Sequence, residues 1–385
     1  MIDSISWQLN KDQFKIDKNH HKFDGKSIKK INGFSSKVFF CKEYRDKLTK
    51  KGTYFPLVEI SQSMRGNRLD PNSLTIQSSI PKVTHGSNAY ETDENDLEAI
   101  YQRHIALLNN VGVKTSVNEL RQAIIRKADF SKMIILPIYL GEANQTIYKL
   151  MGFNYKPSSK FDFMNYQEGE GTFIRFGNGT QKYTVYDKIG EIYAKGYTKT
   201  DNKIIKLVDL GEMKRNILKF ELSYLRKDSF EKAMRVRINH KKRDFVLEDI
   251  ISIDLSKNIL LKAFDTVFNS IAVGLLSLSE MEENKLWAYL ENSELTQNQQ
   301  QYLFYWVRMA TNNGIAGTWE ELKRKYSGGS ITRKRQEISL ALQELGRISG
   351  NIPNLIDFLR SEHEKFEIIK PKTEKNRCKP LSSII

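Results

Sequence analysis

The sequence predicts an α+β protein in which an antiparallel sheet with flanking helices is followed by a helical segment. Apolar and polar residues alternate in several runs before residue 225, and an Asn-Gly pair separates two of these runs. Helical periodicity dominates from residue 228 onward. We therefore expect two domains, covering residues 1–245 and 246–385.

The composition predicts a folded protein that binds a polyanion. Of the 385 residues, 39% are hydrophobic and 11% are aromatic, which is enough for a buried core. Lys and Arg total 61 against 46 Asp and Glu, and the resulting net charge of +15 favours nucleic acid as a partner. The alternative is a lysine-rich composition that has nothing to do with binding.

The cysteines and the hydropathy pattern predict a cytoplasmic protein. Cys41 and Cys378 are far apart in the sequence, which argues against a disulfide framework or a cysteine zinc site. No apolar run approaches the roughly 18 residues of a membrane span, and the first residues lack the basic and apolar segments of a signal peptide. We expect no membrane partner.

The first 151 residues are predicted to mix strands and helices. Helical spacing of Leu97, Tyr101, His104 and Leu108 predicts a helix over 93–108 with a buried stripe. Ser116 and Glu119 form a capping pair for a helix over 117–123. The remaining predicted elements are strands at 2–9, 36–41, 54–61 and 124–130, a Lys-rich turn at 47–52, a loop at 62–74 that exposes Arg65 and Arg68, and a helix at 143–151.

A hairpin is predicted around Gly177-Asn178-Gly179, because an Asn-Gly pair here separates two alternating runs. Tyr186 then lies on the returning strand. Segment 204–210 is compatible with either a helix or a strand.

Two predicted strands bring polar side chains to one face of a sheet. Strand side chains alternate between faces, so Tyr186 and Lys188 share a face that excludes Tyr183. In the strand over 216–225, Glu221 likewise shares its face with Lys219 and Ser223. We expect a phenol, an amine and a carboxylate to meet there.

The C-terminal part is predicted to contain a helix–turn–helix. Thr318 and Glu321 form a capping box, 327–330 is a turn, and a second helix covers 332–345. Three cations at the start of that helix oppose its macrodipole unless a phosphate compensates, which suggests docking on duplex DNA. An ordinary helical hairpin is the alternative. Further predicted helices lie at 229–236, 247–251, 259–278, 281–292 and 297–309, and a frayed basic tail carries Lys370, Lys372, Lys375, Arg377 and Lys379.

Tyr186 is a candidate nucleophile, since tyrosine forms covalent intermediates once its phenolate is stabilised by a nearby cation such as Lys188. The alternative is that Tyr186 is one of 17 tyrosines and merely a favoured strand residue. Glu59, Asp129 and Glu221 lie inside apolar strands and are candidate ligands for Mg²⁺ or Mn²⁺. For each of them, a solvated face with a lysine partner is the alternative. We assign none of the six histidines as a metal ligand.

At these residues the sequence resembles the filamentous-phage gene II replication proteins and their plasmid and prophage relatives. The similarity is distant but collinear. It is found in the following segments: 1–3, 54–60, 81–88, Arg126 through Asp129, Tyr186 through Lys188, 219–221 and 332–346. The chain departs from the family pattern Arg-x-Asp, because Lys127 and Ala128 separate Arg126 from Asp129.

The resemblance implies a rolling-circle replication initiator that nicks one strand at a phage or plasmid origin and later religates it through a phosphotyrosine. It implies Tyr186 as nucleophile, Lys188 as its helper, Asp129 and Glu221 as ligands of Mg²⁺ or Mn²⁺, and Glu59 as a further possible ligand. The expected setting is the bacterial host cytoplasm. Expected partners are single- and double-stranded origin DNA, host helicase and polymerase, and a second copy in a homodimer.

We expect six cations to contact DNA: Arg126, Lys323, Arg324, Arg333, Lys334 and Arg335. Two other functions remain open from sequence. One is a non-catalytic origin-binding or regulatory protein, and the other is a transposase or recombinase that uses the same tyrosine. Tyr183 and Tyr193 remain alternative nucleophiles.

Overall fold

A computed structural model describes the following residues: 1–17, 19–31, 34–63, 72–151, 163–167, 172–195, 198–238, 241, 244–346, 348 and 351–371. The predictions for Arg65, Arg68, Lys372, Lys375, Arg377, Cys378 and Lys379 lie outside these residues. The α+β class is confirmed, since a large antiparallel sheet is combined with many helices.

The strands are β1 Ile2–Asn10, β2 Lys15–Ile16, β3 Gly25–Ile31, β4 Phe34–Phe40, β5 Leu57–Ser63, β6 Ser73–Ser79, β7 Val113–Lys114, β8 Ile124–Ile135, β9 Phe163–Gln167, β10 Phe173–Gly177, β11 Gln181–Asp187 and β12 Ile217–Tyr224. The helices of the first 237 residues are α1 Lys42–Lys50, α2 Ile80–His85, α3 Leu97–Asn109, α4 Val117–Arg121, α5 Ala143–Met151, α6 Lys188–Lys195, α7 Lys199–Asp209 and α8 Lys227–Arg237. The later helices are α9 Leu247–Ile250, α10 Ile253–Val267, α11 Ser270–Ser279, α12 Glu283–Glu291, α13 Gln297–Lys325, α14 Gly328–Glu344 and α15 Asn351–Lys365.

Ten strands form one antiparallel sheet in the order β3-β4-β5-β6-β1-β8-β12-β11-β10-β9, while β2 and β7 pair separately. The predicted hairpin is confirmed, because β10 and β11 pair around Asn178, whose side-chain oxygen accepts the backbone N–H of Thr180. The centre of the sheet is therefore built from β1, β8 and β12, which are far apart in sequence.

The apolar face of this central region packs on C-terminal helices. Phe220 of β12 lies 6.3 Å from the ring of Phe264 in α10 and 4.6 Å from the ring of His363 in α15. Buried residues from Met1 to Phe366 form one continuous cluster. The predicted domain boundary at residue 245 stays a prediction, but helices beyond it contribute to the same core as the sheet.

Several local predictions are wrong because long-range contacts override local signals. Of the predicted Lys-rich turn, residues 47–50 belong to helix α1 and only 51–52 form a turn. The first N–H groups of α1, from Lys42 and Glu43, donate to the Asp24 carboxylate at 2.7 and 2.9 Å. The predicted loop over 62–74 is wrong at both ends, because 62–63 belong to β5 and 73–74 belong to β6. Strand β3 and helix α15 were not predicted. Segment 204–210 is helical within α7, apart from its last residue.

The C-terminal helices also differ from the prediction. The segment 259–278 is divided between α10 and α11, and α11 begins where Asn269 caps the N–H of Ala272 at 3.1 Å. The predicted capping box at Thr318 is wrong, because Thr318 lies inside a helix and not at its start. The helical geometry of α13 is interrupted earlier, at Gly314, whose φ of 67° favours glycine. The prediction of a frayed tail is wrong at Lys370, because its ammonium is held by two carboxylates, at 2.8 Å from Asp93 and 3.2 Å from Asp96.

Within the described residues no single helix has both the length and the apolar character to cross a membrane. Helices α10 and α11 meet that requirement only as a pair bent by 51°.

Candidate active site

Tyr186 lies near the end of β11, directly opposite Lys219 of β12. Its side chain is 8% exposed, and its hydroxyl donates to Glu221 Oε2 at 3.4 Å. Burial, followed by the negative charge of Glu221, raises the pKa of Tyr186 well above its usual range. The phenol of Tyr186 and the carboxyl group of Glu221 do meet on one sheet face, and Lys219 lies on that face as well. The prediction of a solvated face is wrong, because the phenol is enclosed.

The alternative tyrosines occupy different places. Tyr183 is fully buried on the opposite face, with its ring 6.3 Å from Phe220. Tyr193 lies on α6, is 42% exposed, and its hydroxyl donates to Asp209. Tyr186 is therefore the tyrosine of the three that adjoins Glu221.

Three carboxyl groups surround this position on the same face. Glu221 of β12 is joined to Ser223, whose hydroxyl donates to Glu221 Oε1 at 3.3 Å, and Ser223 pairs in register with Asp129 of β8. Asp129 accepts a hydrogen bond from Ser4 of β1. Asp3, on the bulged part of β1, completes the group and was missed by sequence reasoning.

Burial and neighbouring negative charge raise the pKa of two of these groups, Asp129 and Glu221. Burial, followed by the charges of Asp3 and Asp129, raises the pKa of Glu221 to about 8. Burial raises the pKa of Asp129 as well, against hydrogen bonds from Ser4 and Ser223. The nearby lysines do not offset these effects for either group, and such an arrangement favours a bound cation.

Lys219 is 1% exposed and forms a salt bridge with Asp3. Burial favours the neutral amine, but the charges of Asp3 and Glu221 outweigh it and raise the pKa of Lys219. A buried lysine in an apolar strand is uncommon unless it is paired, so the position of Lys219 inside β12 indicates that an acidic partner lies nearby. Asp3 could not be recognised as its partner, because β1 and β12 are more than 200 residues apart.

Lys188 belongs to the site through a different element from the one predicted. The strand ends at Asp187, and Lys188 is the first residue of α6, so the expectation that it continues the strand alternation is wrong. Its buried ammonium donates to Asn88 Oδ1 at 2.8 Å and Glu191 Oε2 at 2.7 Å, and it lies 5.8 Å from the Tyr186 ring centroid. Burial lowers the pKa of Lys188 to about 8.

Glu59 does not join this group. It lies on β5, which β6 and β1 separate from β8, so about 14 Å of sheet lie between Glu59 and the strand of Asp129. Its Oε1 lies 2.6 Å from the ammonium of Lys29. Glu59 therefore fits the alternative to metal binding, which is an acid on a sheet face paired with a lysine.

The predicted DNA-binding cations are in varied settings. Arg126 donates its Nε–H to Gln8, next to a register shift between β1 and β8. Helix α14 begins at Gly328, so the basic run 333–335 lies in its second turn rather than at its N-terminus, and the macrodipole argument for a phosphate does not apply.

Most of the C-terminal cations have protein partners. The guanidinium of Arg335 lies 4.8 Å from the ring centroid of Trp319, and Lys334 lies 2.6 Å from Glu337. The remaining pairs are Lys323 with Glu320 at 3.2 Å and Arg324 with Glu321 at 2.9 Å. Arg333 is exposed.

Two carboxyl groups of this site have the chemistry to hold a divalent cation. In the part of the chain that the structure describes, no three His, Cys, Asp or Glu side chains converge closely enough to hold an ion. Asp3 is neutralised by Lys219, which leaves Asp129 and Glu221. Magnesium in enzymes is often held by one or two carboxylates together with substrate phosphate and water, so this pair fits such a site.

Because two histidines are buried, we expect the free energy of unfolding to decrease in acid. His104 bonds Ile100 O at 2.7 Å and Ser78 Oγ at 2.8 Å, and burial lowers the pKa of His104 and of His363 to about 4. Because each pKa is lower in the folded state than in the unfolded state, protonation favours unfolding as pH falls from about 6.5 to 4. We expect a loss of up to about 1.4 kcal/mol per pH unit for each histidine.

Urea denaturation across this pH range measures the effect. His104→Gln should flatten the pH dependence, whereas His20→Gln, at a ring that is 80% exposed, should leave it unchanged. An equal slope in the wild type and the His104 variant would contradict the assignment.

Comparison of this chain with protein-family models, with curated proteins and with solved structures finds no match.

Proposed function

We propose that this protein is a metal-dependent DNA nicking and closing enzyme that initiates rolling-circle replication at a phage or plasmid origin. The observation that carries the proposal is the 3.4 Å contact between the Tyr186 hydroxyl and Glu221, within a group of carboxyl groups on one sheet face. The distant resemblance to gene II replication proteins and the net charge of +15 support the same conclusion.

The proposed reaction is a transesterification. The Tyr186 hydroxyl oxygen forms a bond to the scissile phosphorus, and the bond between phosphorus and the 3′ oxygen breaks. The 5′ end stays on the tyrosine as a phosphodiester, and the 3′-hydroxyl leaves with a proton and serves as a primer. The reverse attack by a 3′-hydroxyl closes the strand without ATP, because the ester is conserved.

The residues around Tyr186 have distinct roles in this proposal. Glu221 accepts the phenol hydrogen bond and is placed to receive its proton. Lys188 supplies positive charge beside the ring, and Asn88 and Glu191 hold its ammonium in place. The salt bridge with Asp3 keeps the Lys219 ammonium charged, opposite Tyr186 in the sheet.

Asp129 and Glu221 would hold Mg²⁺ or Mn²⁺. Such an ion, when bound, withdraws electrons from the phosphate oxygens and stabilises charge on the phosphate. Burial raises the pKa of both carboxyl groups, and a bound cation would oppose that shift.

The proposed partners are origin DNA, host helicase and polymerase, and a second copy in a homodimer. Arg126 and the cations of the C-terminal helices are proposed to contact the DNA backbone. The exposed Arg333 is the strongest of these candidates, because Lys334 and Arg335 already contact Glu337 and Trp319.

The proposal is tested by incubating the wild-type protein with a supercoiled plasmid that carries the candidate origin, with Mg²⁺ or Mn²⁺ present. We expect nicked and relaxed circles, and a protein–DNA adduct on the 5′ end that survives denaturation. A plasmid that lacks the origin is the control. Specific binding without nicking under either metal would instead favour a non-catalytic origin-binding protein.

A further inference from the structure

A groove beside Asp129 opens the acidic group to the outside of the protein. It has a volume of about 340 Å³ and lies over β1, β6 and β8, with helix α1 along one side. The lining residues that matter here are Ser4, Arg45, Tyr54, Ser79, Lys127 and Asp129. Tyr186 itself is enclosed, and this groove is a way for a substrate to reach Asp129, the member of the acidic group that lines it.

Two cations line the groove. Arg45 of α1 and Lys127 of β8 are both exposed, and neither forms a salt bridge with any residue that the structure describes. The charge of Lys127 acts on Asp129, and that of Arg45 acts on Tyr54. Two unpaired cations on the walls of a concave site favour an anionic ligand.

The hydroxyl groups of the groove point to the same kind of ligand. Ser79 Oγ is buried, and within the described part of the chain it has no hydrogen-bond partner. Its backbone N–H donates to the Tyr54 hydroxyl at 2.7 Å, which places the Tyr54 oxygen at the groove wall. Ser79 lines the groove, and its hydroxyl is a hydrogen-bond donor that no other described residue uses.

The size of the groove distinguishes a single strand from a duplex. About 340 Å³ lies at the low end of small-ligand pockets, which suits one nucleotide of a flexible strand but not the width of a double helix. We infer that Arg45 and Lys127 bind the backbone phosphates of a single DNA strand beside the scissile phosphate. This inference rests on the proposed function and specifies how its substrate enters.

The test uses the Tyr186→Phe protein in EDTA, so that binding is measured without cleavage. Anisotropy of a fluorescein-labelled 20-nucleotide single strand of mixed sequence is followed against KCl concentration. In the double variant Arg45→Gln/Lys127→Gln we expect about tenfold weaker binding at low salt. The slope of log K against log salt should fall by about 1.4, which is about 0.7 for each lost phosphate contact.

Matched controls separate the groove from general charge. Lys285→Gln/Lys365→Gln removes two exposed cations from α12 and α15 and should leave the slope unchanged. Arg45→Lys/Lys127→Arg keeps both charges and should retain the slope. Thermal melting of each variant checks that it is folded.

The inference is overturned if the groove variant keeps the wild-type slope, or if the control pair lowers the slope equally. It is also overturned if a 20-base-pair duplex of the same sequence loses as much affinity as the single strand. These outcomes are independent of nicking. A protein with the expected groove effect that never nicks origin DNA would refute the proposed function alone.

Discussion

Tyr186→Phe is expected to abolish nicking, with a loss of more than about 10³-fold, because the substitution removes the oxygen that would bond to phosphorus. The covalent protein–DNA adduct should disappear with the nicked circles. The folded state should lose at most about 1 kcal/mol, since the phenol makes one long hydrogen bond of 3.4 Å. Agarose gels of plasmid topology and denaturing gels of the adduct measure both activities.

The matched controls are the two other tyrosines of the region. Tyr183→Phe removes a hydroxyl from the opposite face, and Tyr193→Phe removes one that donates to Asp209 on the surface. Both variants should keep their nicking activity. If the Tyr186 variant still forms the adduct while one of these controls does not, the nucleophile has been assigned to the wrong residue.

The second large effect is expected at Lys219. Lys219→Met should lower the free energy of unfolding by about 3–5 kcal/mol, because it leaves the Asp3 carboxylate buried beside Asp129 and Glu221 without a counter-charge. Urea denaturation at neutral pH in EDTA measures the change without interference from bound metal.

A double-mutant cycle with Asp3→Asn identifies the cause. If the unpaired charge is responsible, Lys219→Met/Asp3→Asn should recover more than half of the stability lost in the single Lys219 variant. Lys285→Met, at a lysine that is 73% exposed, is the control and should change the stability by less than about 0.5 kcal/mol. Strictly additive effects of the two substitutions would show that the Lys219–Asp3 pair is not the source.

The sequence predicts the candidate site only where the alternation of side chains along one strand, or the residues of one turn, fix the positions. The face shared by Lys219, Glu221 and Ser223 follows from the two-residue period of a strand, and the hairpin at Asn178 follows from its turn residues. Lys188 lies beside Tyr186, as the strand alternation predicts, but it does so from the first turn of helix α6 and not from the strand. The sequence has no strong local signal for the change from strand to helix after Asp187. Glu59 has the same apolar surroundings in sequence as Glu221, but lies several strands away from the acidic group.

The C-terminal cations show the same limit. The run 333–335 is visible in the sequence as a basic segment, but its contacts with Trp319 and Tyr302 of α13 form only when α13 and α14 pack together. The pair of Lys334 with Glu337, by contrast, lies within α14 and is local. The helix boundary was misplaced by four residues, and this placed the run wrongly at a helix N-terminus. The macrodipole argument therefore failed with the boundary.

By itself, the sequence determined the fold class and the side of β12 on which Lys219, Glu221 and Ser223 lie, because both depend on short-range periodicity. Only the tertiary structure decided that β12 lies between β8 and β11, and that Asp3 of β1 reaches Lys219. Strand order is set by packing between segments far apart in the chain, where the apolar faces of many strands are interchangeable. A pair such as Asp3 and Lys219 becomes recognisable only once that order is known.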